Sequence, residues 1–275
     1  MKRIIVLWIV FSMPLRVLAI DLYRTVGGRA AAMGGTSVAA REVWSLQNNP
    51  AGTAYLEGWH AGLYYENRWG LRETAFKSAV LMRSVEGVGC LGLGVEQFGG
   101  TKYSENKLGV GYARDFGPYL QMGLRADLLW LHWGEGYPDR RGVGFTLGMQ
   151  SQLTEQCRMG ACLYSPIALA RDTADSAWRP MGMRFGWAYR FTDTFVAQGE
   201  LEYDHSRQGV RIGSGFEYVV ADRFQFRAGA QYHPNLLSFG ASYRIGGVHV
   251  EVSAQLHQVL GASVQIGIHY GREAR

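Results

Sequence analysis

Charged side chains of both signs recur at alternate positions of segments with a two-residue period, which places them on one face of the predicted strands. The basic members are Arg68, Lys107, Arg125, Arg158, Arg184, Arg190, Arg211, Arg227 and Arg244. The acidic members are Glu66, Glu96, Asp127, Glu200, Glu202, Asp204, Glu217 and Glu251. Such a face suits either a polar permeation path with a ligand site or a structural network of ion pairs. Because buried charges must be paired and the signs are balanced, we favour the network.

One acidic group within this face has clear candidate partners. Glu200, Glu202 and Asp204 occupy successive polar positions of one predicted strand, and Arg190 and Arg211 lie on the strands before and after it. We expect these residues to pair across the strands. A lumen that carries so many charges would be a poor tunnel for a fatty-acyl chain.

Histidine and serine residues raise the question of metal binding or catalysis. His249, His257 and His269 fall on polar positions of the last two predicted strands, where isolated histidines are favoured over a metal site. His205 and Ser206 lie in a predicted loop, but a lipid hydrolase needs an orienting partner, and the sequence has no G-x-S-x-G motif. We therefore expect no catalytic residue, no metal and no cofactor. A lipid hydrolase is kept as a remote alternative.

The three cysteines are expected to be unpaired. Cys157 and Cys162 lie on one predicted strand, and their five-residue separation puts them on opposite faces, about 16 Å apart. That distance is too long for a disulfide. Cys90 reaches one of them only if their strands come together.

The elements that must position these residues are short amphipathic strands. In the clearest two, Val248 to Leu256 and Ala262 to Tyr270, apolar and polar residues alternate. The pattern recurs about 14 times, in runs near the roughly 9–11 residues with which a strand crosses a membrane. The first seven are placed at Trp59 to Trp69, Leu71 to Arg83, Gly89 to Gln97, Lys107 to Arg114, Leu120 to Trp133, Val143 to Leu153 and Cys157 to Tyr164. Five more follow between Met181 and Ile245, and only the facing of Leu71 to Arg83 is ambiguous.

The predicted connections are short on one side and long on the other. Short turns fall near Val85, Gly117, Glu155, Asp193, Asp222 and Gly247. Long loops fall at Phe98 to Asn106, Gly134 to Arg141 and Ser165 to Pro180. This asymmetry is typical of outer-membrane barrels, and a soluble β-sandwich is the alternative. A mean hydropathy of −0.10 argues against a helical-bundle membrane protein.

The N-terminus has the features of a secretory signal. Lys2 and Arg3 precede the apolar run Ile4 to Met13, and Val17-Leu18-Ala19 fits a cleavage site, so residues 1–19 are predicted to be a signal peptide. The mature protein is then placed in the bacterial outer membrane, with both termini on the periplasmic side. Residues 58–271 form the predicted barrel.

Residues 20–57 are predicted to be a plug in the lumen. They are rich in glycine and alanine and show no alternation, and Ala39 to Gln47 suits a short helix with Thr36 or Ser37 near its cap. The lumen of a barrel of about eight strands is filled by its own side chains, whereas one of roughly 16–18 strands leaves an aqueous channel. A barrel of about 14 strands is intermediate in width, so its lumen must be filled by another segment or must conduct. The predicted fold is therefore all-β, an antiparallel transmembrane β-barrel of about 14 strands with an N-terminal plug.

Four short motifs in this stretch carry a family resemblance. Gly28-Arg29-Ala30, Met33-Gly34-Gly35, Val38-Ala39 and Asn49-Pro50-Ala51-Gly52 resemble the N-terminal signature of the FadL-like outer-membrane proteins, closest to the PorV/PorQ type. The resemblance implies a 14-stranded barrel with an N-terminal hatch, in a family of hydrocarbon and fatty-acid transporters and secretion accessories. The motif positions are Gly28, Arg29, Gly34, Gly35, Asn49, Pro50 and Gly52. Arg41-Glu42 and Thr53 depart from the family pattern.

The resemblance implies a non-enzymatic barrel. The charged lumen predicted for this chain favours an accessory role in protein secretion or surface attachment. A FadL-type channel for small hydrophobic or amphipathic molecules is the alternative. The expected partners are outer-membrane lipid and lipopolysaccharide, with a secreted protein or a secretion subunit. Without Lys2, Arg3 and Arg16 the net charge falls from +5 to +2, so no nucleic-acid partner is expected.

Overall fold

The computed structural model of the protein describes residues 23–134, 139–168, 181–204, 209–221 and 223–272. The predicted signal peptide, most of the predicted loop Ser165 to Pro180, and the pair His205 and Ser206 lie outside the described residues. Within the described part of the chain, no helix is both long and apolar enough to span a membrane.

Fourteen strands close into an antiparallel barrel in which every strand pairs with its sequence neighbours and the first pairs with the last. They are β1 Glu57–Asn67, β2 Ala75–Val85, β3 Gly89–Gly99, β4 Ser104–Asp115, β5 Leu120–His132, β6 Arg140–Gln152, β7 Cys157–Ala168, β8 Gly182–Thr192, β9 Phe195–Asp204, β10 Gly209–Val220, β11 Phe224–Tyr232, β12 Leu236–Ile245, β13 Val248–His257 and β14 Gly261–Arg272. The predicted antiparallel β-barrel of about 14 strands is confirmed. The ladder has register shifts near Glu57 and near Arg190, and it is regular from β1 to β4.

The barrel exposes its apolar residues and buries its polar ones. On β14, Val264, Ile266 and Ile268 point outward with about half of their surface exposed, whereas Gln265 between them is fully buried. The same alternation of exposed and buried positions runs through most of the other strands, for example β3 to β6. Since a soluble barrel would bury its apolar face, this outer surface suits lipid.

Strand β2, whose facing the sequence left ambiguous, follows the same rule with an apolar inner face. Phe76, Val80 and Met82 point inward and are buried, while Lys77 and Leu81 point outward and are exposed. Its inner residues pack on apolar side chains of the N-terminal segment, so neither face of the strand is polar throughout.

The two ends of the barrel differ in their connections. At one end, here called the turn end, residues 86–88, 116–119, 153–156, 193–194 and 246–247 make short turns. At the other, the loop end, residues 68–74 include two turns of 3-10 helix, Arg68–Gly70 and Arg72–Thr74. The predicted loop Phe98 to Asn106 is shorter than expected, since β3 continues to Gly99 and β4 begins at Ser104.

Residues 23–56, the N-terminal segment, run inside the barrel and are buried along almost their whole length. They contain two helical turns, α1 Gly28–Ala32 and α2 Ser45–Asn48, and a 3-10 helix over Pro50–Tyr55. The predicted helix over Ala39 to Gln47 is therefore wrong in its extent, because helix begins only at Ser45.

The cap predicted for that helix is also wrong. The backbone N–H groups of Ser37 and Val38 both donate to Glu200 Oε2 on β9, at 2.6 and 2.8 Å. Thr36 Oγ1 donates backwards to the Met33 carbonyl. The backbone at this point binds the barrel wall instead of starting a helix.

Candidate functional site

The N-terminal segment starts near the loop end of the barrel. Tyr23 stacks on Tyr164 of β7 with a centroid distance of 4.4 Å. The Arg24 guanidinium lies 3.7 Å from the centroid of Phe98 and donates to Glu105 Oε2 at 2.7 Å. Glu105 is next to the first residue of β4, beside the 100–103 connection. The segment therefore enters β1 only after it has crossed the lumen towards the turn end.

Glycines let the segment backbone touch the barrel backbone. Gly34 has a φ of +69°, and a Cβ placed there would lie 2.6 Å from the Ser214 carbonyl oxygen and also against that of Ala230. The Gly34 N–H donates to Ser238 Oγ at 2.9 Å. A Cβ on Gly28 would lie 2.8 Å from the Glu251 Cβ. These motif positions are small because the wall leaves no room for a side chain.

The second half of the motif folds the segment onto itself. Asn49 Nδ2 donates to the Val38 carbonyl at 2.6 Å, and its Oδ1 accepts from the Ala51 N–H at 3.2 Å as the cap of the 3-10 helix. Pro50 occupies the first helical position, where its missing N–H costs nothing. A Cβ on Gly52 would lie 2.8 Å from Ser45 Oγ. Asn49, Pro50 and Gly52 thus hold internal contacts of the segment.

The predicted acidic group is paired with arginines near the loop end. Arg211 Nη2 lies 3.1 Å from Glu200 Oε1 and also contacts Glu202. Arg184 Nη2 lies 3.4 Å from Glu202 Oε1 and donates to the Tyr23 carbonyl at 2.7 Å. Asp204 is buried at the end of β9. Wall charges therefore bind both one another and the segment.

Arg190, predicted to join this group, lies elsewhere. Its side chain is exposed at the turn end, and Nη2 donates to the Glu155 carbonyl at 3.1 Å. In the strand register Arg184 faces Glu202, whereas Arg190 faces Val196 near the register shift. Arg184 therefore takes the strand position opposite Glu202 that was expected for Arg190. In the sequence, Arg184 is one of the nine basic residues of the polar face.

A second ionic group lies around Glu217 and Glu251. Arg29 of α1 and Arg227 of β11 both donate to Glu217 Oε2, at 3.0 and 2.5 Å. Arg227 Nη1 lies 3.7 Å from Glu251 Oε1, and His269 Nε2 lies 3.8 Å from the same oxygen.

Arg244 and the other two histidines lie beside this group or at the strand ends. The His269 ring stacks on His249 with a centroid distance of 4.6 Å. Arg244 is half-buried and faces His249 in the β12–β13 register. His257 is half-buried at the loop end, where its Nδ1 accepts from two backbone N–H groups of the following turn.

A cavity of about 500 Å³ opens above the segment at the loop end. Its floor is made by the segment itself, through Tyr23, Arg24, Thr25, Ala31 and Gly35. Its walls combine charged and aromatic side chains, including Glu66, Arg68, Trp69, Glu202 and Arg211. The lumen thus offers a vestibule that stops at the N-terminal segment.

No protein-family model and no curated protein sequence matches the chain. Solved structures do. The toluene transporter TbuX of Ralstonia pickettii superposes with a TM-score of 0.68 at 14% identity, over 93% of this chain and 100% of that chain. A FadL homologue of Pseudomonas aeruginosa gives 0.68 at 13% identity, over 92% and 99%. The toluene transporter TodX of Pseudomonas putida gives 0.67 at 14% identity, over 92% and 98%.

This chain has the fold of the FadL-type barrels. At such identities the likeness concerns the fold, and two of these neighbours are named as toluene transporters. The closeness to the PorV/PorQ type remains a prediction.

One buried carboxylate in the segment was not singled out as a functional residue. Glu42 is almost completely buried, and among the described residues its Oε1 has no hydrogen-bond partner. Burial raises the pKa of Glu42 to about 7, although Arg29 Nη1 at 3.8 Å from Oε2 acts in the opposite direction. The sequence signal was the Arg41-Glu42 pair, which departs from the family pattern. Glu42 can therefore change its charge near neutral pH inside the lumen.

Proposed function

We propose that the protein is an outer-membrane channel of the FadL type for small amphipathic or hydrophobic molecules, and that the N-terminal segment is its plug. The observation that carries this proposal is the vestibule of about 500 Å³ whose floor is the segment. A purely structural barrel has no need of an open cavity that ends on a chain segment held to the wall by hydrogen bonds and ion pairs.

The lining of the vestibule indicates the chemistry of its ligand. The guanidinium groups of Arg24, Arg68 and Arg211 line it, each already paired with a carboxylate, and Tyr64 and Trp69 add aromatic surface. Such a lining of paired charges and aromatic rings suits a molecule with a small apolar body and a polar head. Toluene, named for two of the structural neighbours, represents the apolar limit of this class.

Passage through this channel requires the segment to move. In the structure, wall carboxylates and carbonyls bind the segment along its length, for example Glu200 to Ser37 and Val38, and Glu217 to Arg29. These contacts are hydrogen bonds and ion pairs, so the segment can be displaced without breaking the strand ladder. The structure thus corresponds to the closed state of the proposed channel.

The accessory role in secretion or surface attachment is the second candidate. The observation in its favour is the dense pairing of lumen charges, which resembles a rigid support more than a path. Co-purification of a secreted protein or a secretion subunit with the barrel, together with no uptake, would support this candidate.

Uptake into proteoliposomes tests the channel. We expect radiolabelled octanoate and toluene to enter faster through the reconstituted protein than through protein-free vesicles. Arg68→Gln should slow octanoate more than toluene, because Arg68 lines the vestibule. Arg72→Gln is the matched control, since Arg72 is exposed in the same connection. Rates equal to those of protein-free vesicles for both solutes would refute the channel.

A further inference from the structure

The outward face of β2 to β6 carries a row of polar side chains near the loop end. Lys77 faces Gln97 in the register, Gln97 faces Asn106, and Asn106 faces Trp130. Arg141 follows Trp130 on β6. All five positions lie within two residues of the loop end of their strands. The row is therefore a single feature of the outer rim.

This row is unusual on the outer surface of the barrel. Among the described side chains, the other exposed strand cations include Arg83, Arg114 and Arg190, and these lie at the turn end. Continuing from Lys77 in the opposite direction, the register leads to Tyr65 and Ile266. Cationic groups at the loop end thus face lipid in one sector, between β2 and β6.

An apolar groove lies directly below Lys77. It encloses about 550 Å³ and is lined mainly by outward-facing residues such as Leu63, Val95, Trp130 and Ile268. Ala79 lies between Leu63 and Val95 in the register, and its short side chain leaves the depression between its larger neighbours. Lys77, Gln97 and Asn106 line its upper end. The groove is thus apolar along most of its length and carries one ammonium group and two amides at its upper end.

The position of Lys77 matches the polar boundary of a membrane. It lies two residues inside β2, roughly 7 Å from the strand end along the chain. Its one described hydrogen bond, from Nζ to Gln97 Oε1, is long at 3.5 Å, so the ammonium group has donors left for an anion. The amides of Gln97 and Asn106 add donors beside it.

With the loop end on the outer side of the membrane, as the sequence predicts, we propose that this groove binds a phosphorylated, acylated glycolipid of the outer leaflet, with a phosphate against Lys77 and an acyl chain over Ala79. Arg141 lies four strands from Lys77, about 19 Å away at the usual strand spacing. That distance is too long for one phosphate and suits a second phosphate on the same or a neighbouring lipid. The site is on the outer wall and does not depend on the channel proposed above.

The test is native mass spectrometry of the full-length barrel in detergent, titrated with bisphosphorylated lipid A. Lys77→Gln should weaken binding about fivefold, the effect of one cation at a membrane surface. Ala79→Trp should also weaken binding, because it fills the groove without changing its charge. Arg83→Gln is the matched control on the same strand and face, and it should bind as wild type.

Two further arms identify the ligand chemistry. Enzymatically dephosphorylated lipid A should bind wild type at least as weakly as intact lipid A binds Lys77→Gln, because it loses the phosphate at Lys77 and any phosphate at Arg141. Inorganic phosphate should not displace lipid A, since it has no acyl chain. Heat-modifiable gel mobility checks that each variant is folded. Unchanged binding by folded Lys77→Gln, equal binding of the dephosphorylated lipid, or displacement by inorganic phosphate would each overturn the proposal.

Discussion

Arg29 and Glu217 form a two-pronged ion pair between the N-terminal segment and the barrel wall. Arg29 Nε donates to Glu217 Oε2 at 3.0 Å, and Nη2 donates to Oε1 at 3.3 Å. The residues are 188 positions apart in sequence, and Arg227 donates to the same carboxylate. This geometry fixes both the position and the orientation of α1. The pair is thus a direct link between the proposed plug and the strands around it.

Replacing Arg29 by alanine should loosen the segment. The change removes both hydrogen bonds and leaves Glu217 paired with Arg227 alone, which should cost about 2 kcal/mol of segment binding. Hydrogen exchange of the amides in residues 28–38 measures this, and we expect faster exchange there with unchanged exchange in the strands. Arg190→Ala, which removes an exposed arginine at the turn end, should leave the segment protected. Equal protection in Arg29→Ala would show that the pair does not hold the segment.

Gly34→Ala should displace the segment from β10 and β11. The new Cβ would meet the carbonyl oxygens of Ser214 and Ala230 and would also require a positive φ, at a combined cost of about 3 kcal/mol. Gly58→Ala is the matched control, because Gly58 has a φ of +76° with nothing within 4 Å of an added Cβ. Protease cleavage within the segment should rise in Gly34→Ala and much less in Gly58→Ala. Similar cleavage in both variants would mean that backbone strain at a positive φ, and not contact with the barrel wall, displaces the segment.

The charge of Glu42 should make binding of the segment depend on pH. Its pKa rises from 4.5 to about 7 on burial, so the folded state favours the protonated form. The contribution of protonated Glu42 to the free energy of segment binding is therefore complete below about pH 4.5. It is lost as pH rises through about 7, and the total change is about 3 kcal/mol. Glu42→Gln should retain it at high pH.

Hydrogen exchange of residues 28–38, compared between wild type and Glu42→Gln, measures this effect. The difference in protection should grow between pH 4.5 and 7 and stay level outside that window. Other carboxylates contribute equally to both proteins, so the comparison isolates Glu42. A difference that does not change with pH would contradict the assignment.

Most of the barrel is predictable from the sequence because a lipid-facing wall enforces strict alternation. The predicted strand Val248 to Leu256 matches β13 to within one residue, and the direction of Ile266 and Gln265 follows from the period alone. The facing of β2 was ambiguous because Phe76, Val80 and Met82 pack on the segment. A strand with an apolar neighbour inside the lumen loses the polar face on which the prediction depends.

The candidate site was less predictable for a related reason. Pairing between wall charges follows strand register, and Arg211 lies opposite Glu202 in the β9–β10 ladder and also contacts Glu200. Arg190 was misplaced because it lies six residues along β8 from Arg184, next to the β8–β9 turn, where the ladder sets it opposite Val196. The path of the segment has no period, so neither the Arg29 to Glu217 pair nor the helix boundary at Ser45 has a local signal.

The N-terminal segment is proposed to close a barrel that can conduct once the segment has moved. Single-channel recording of the intact protein measures this closure directly. Urea weakens the segment contacts before the continuous strand ladder, because the segment is held by fewer and more local interactions. In buffer without octanoate or toluene we predict no steady conductance, and a conductance that appears in moderate urea and disappears when the urea is washed out. A barrel that conducts steadily in buffer, or that stays closed until its strands unfold, would contradict the account.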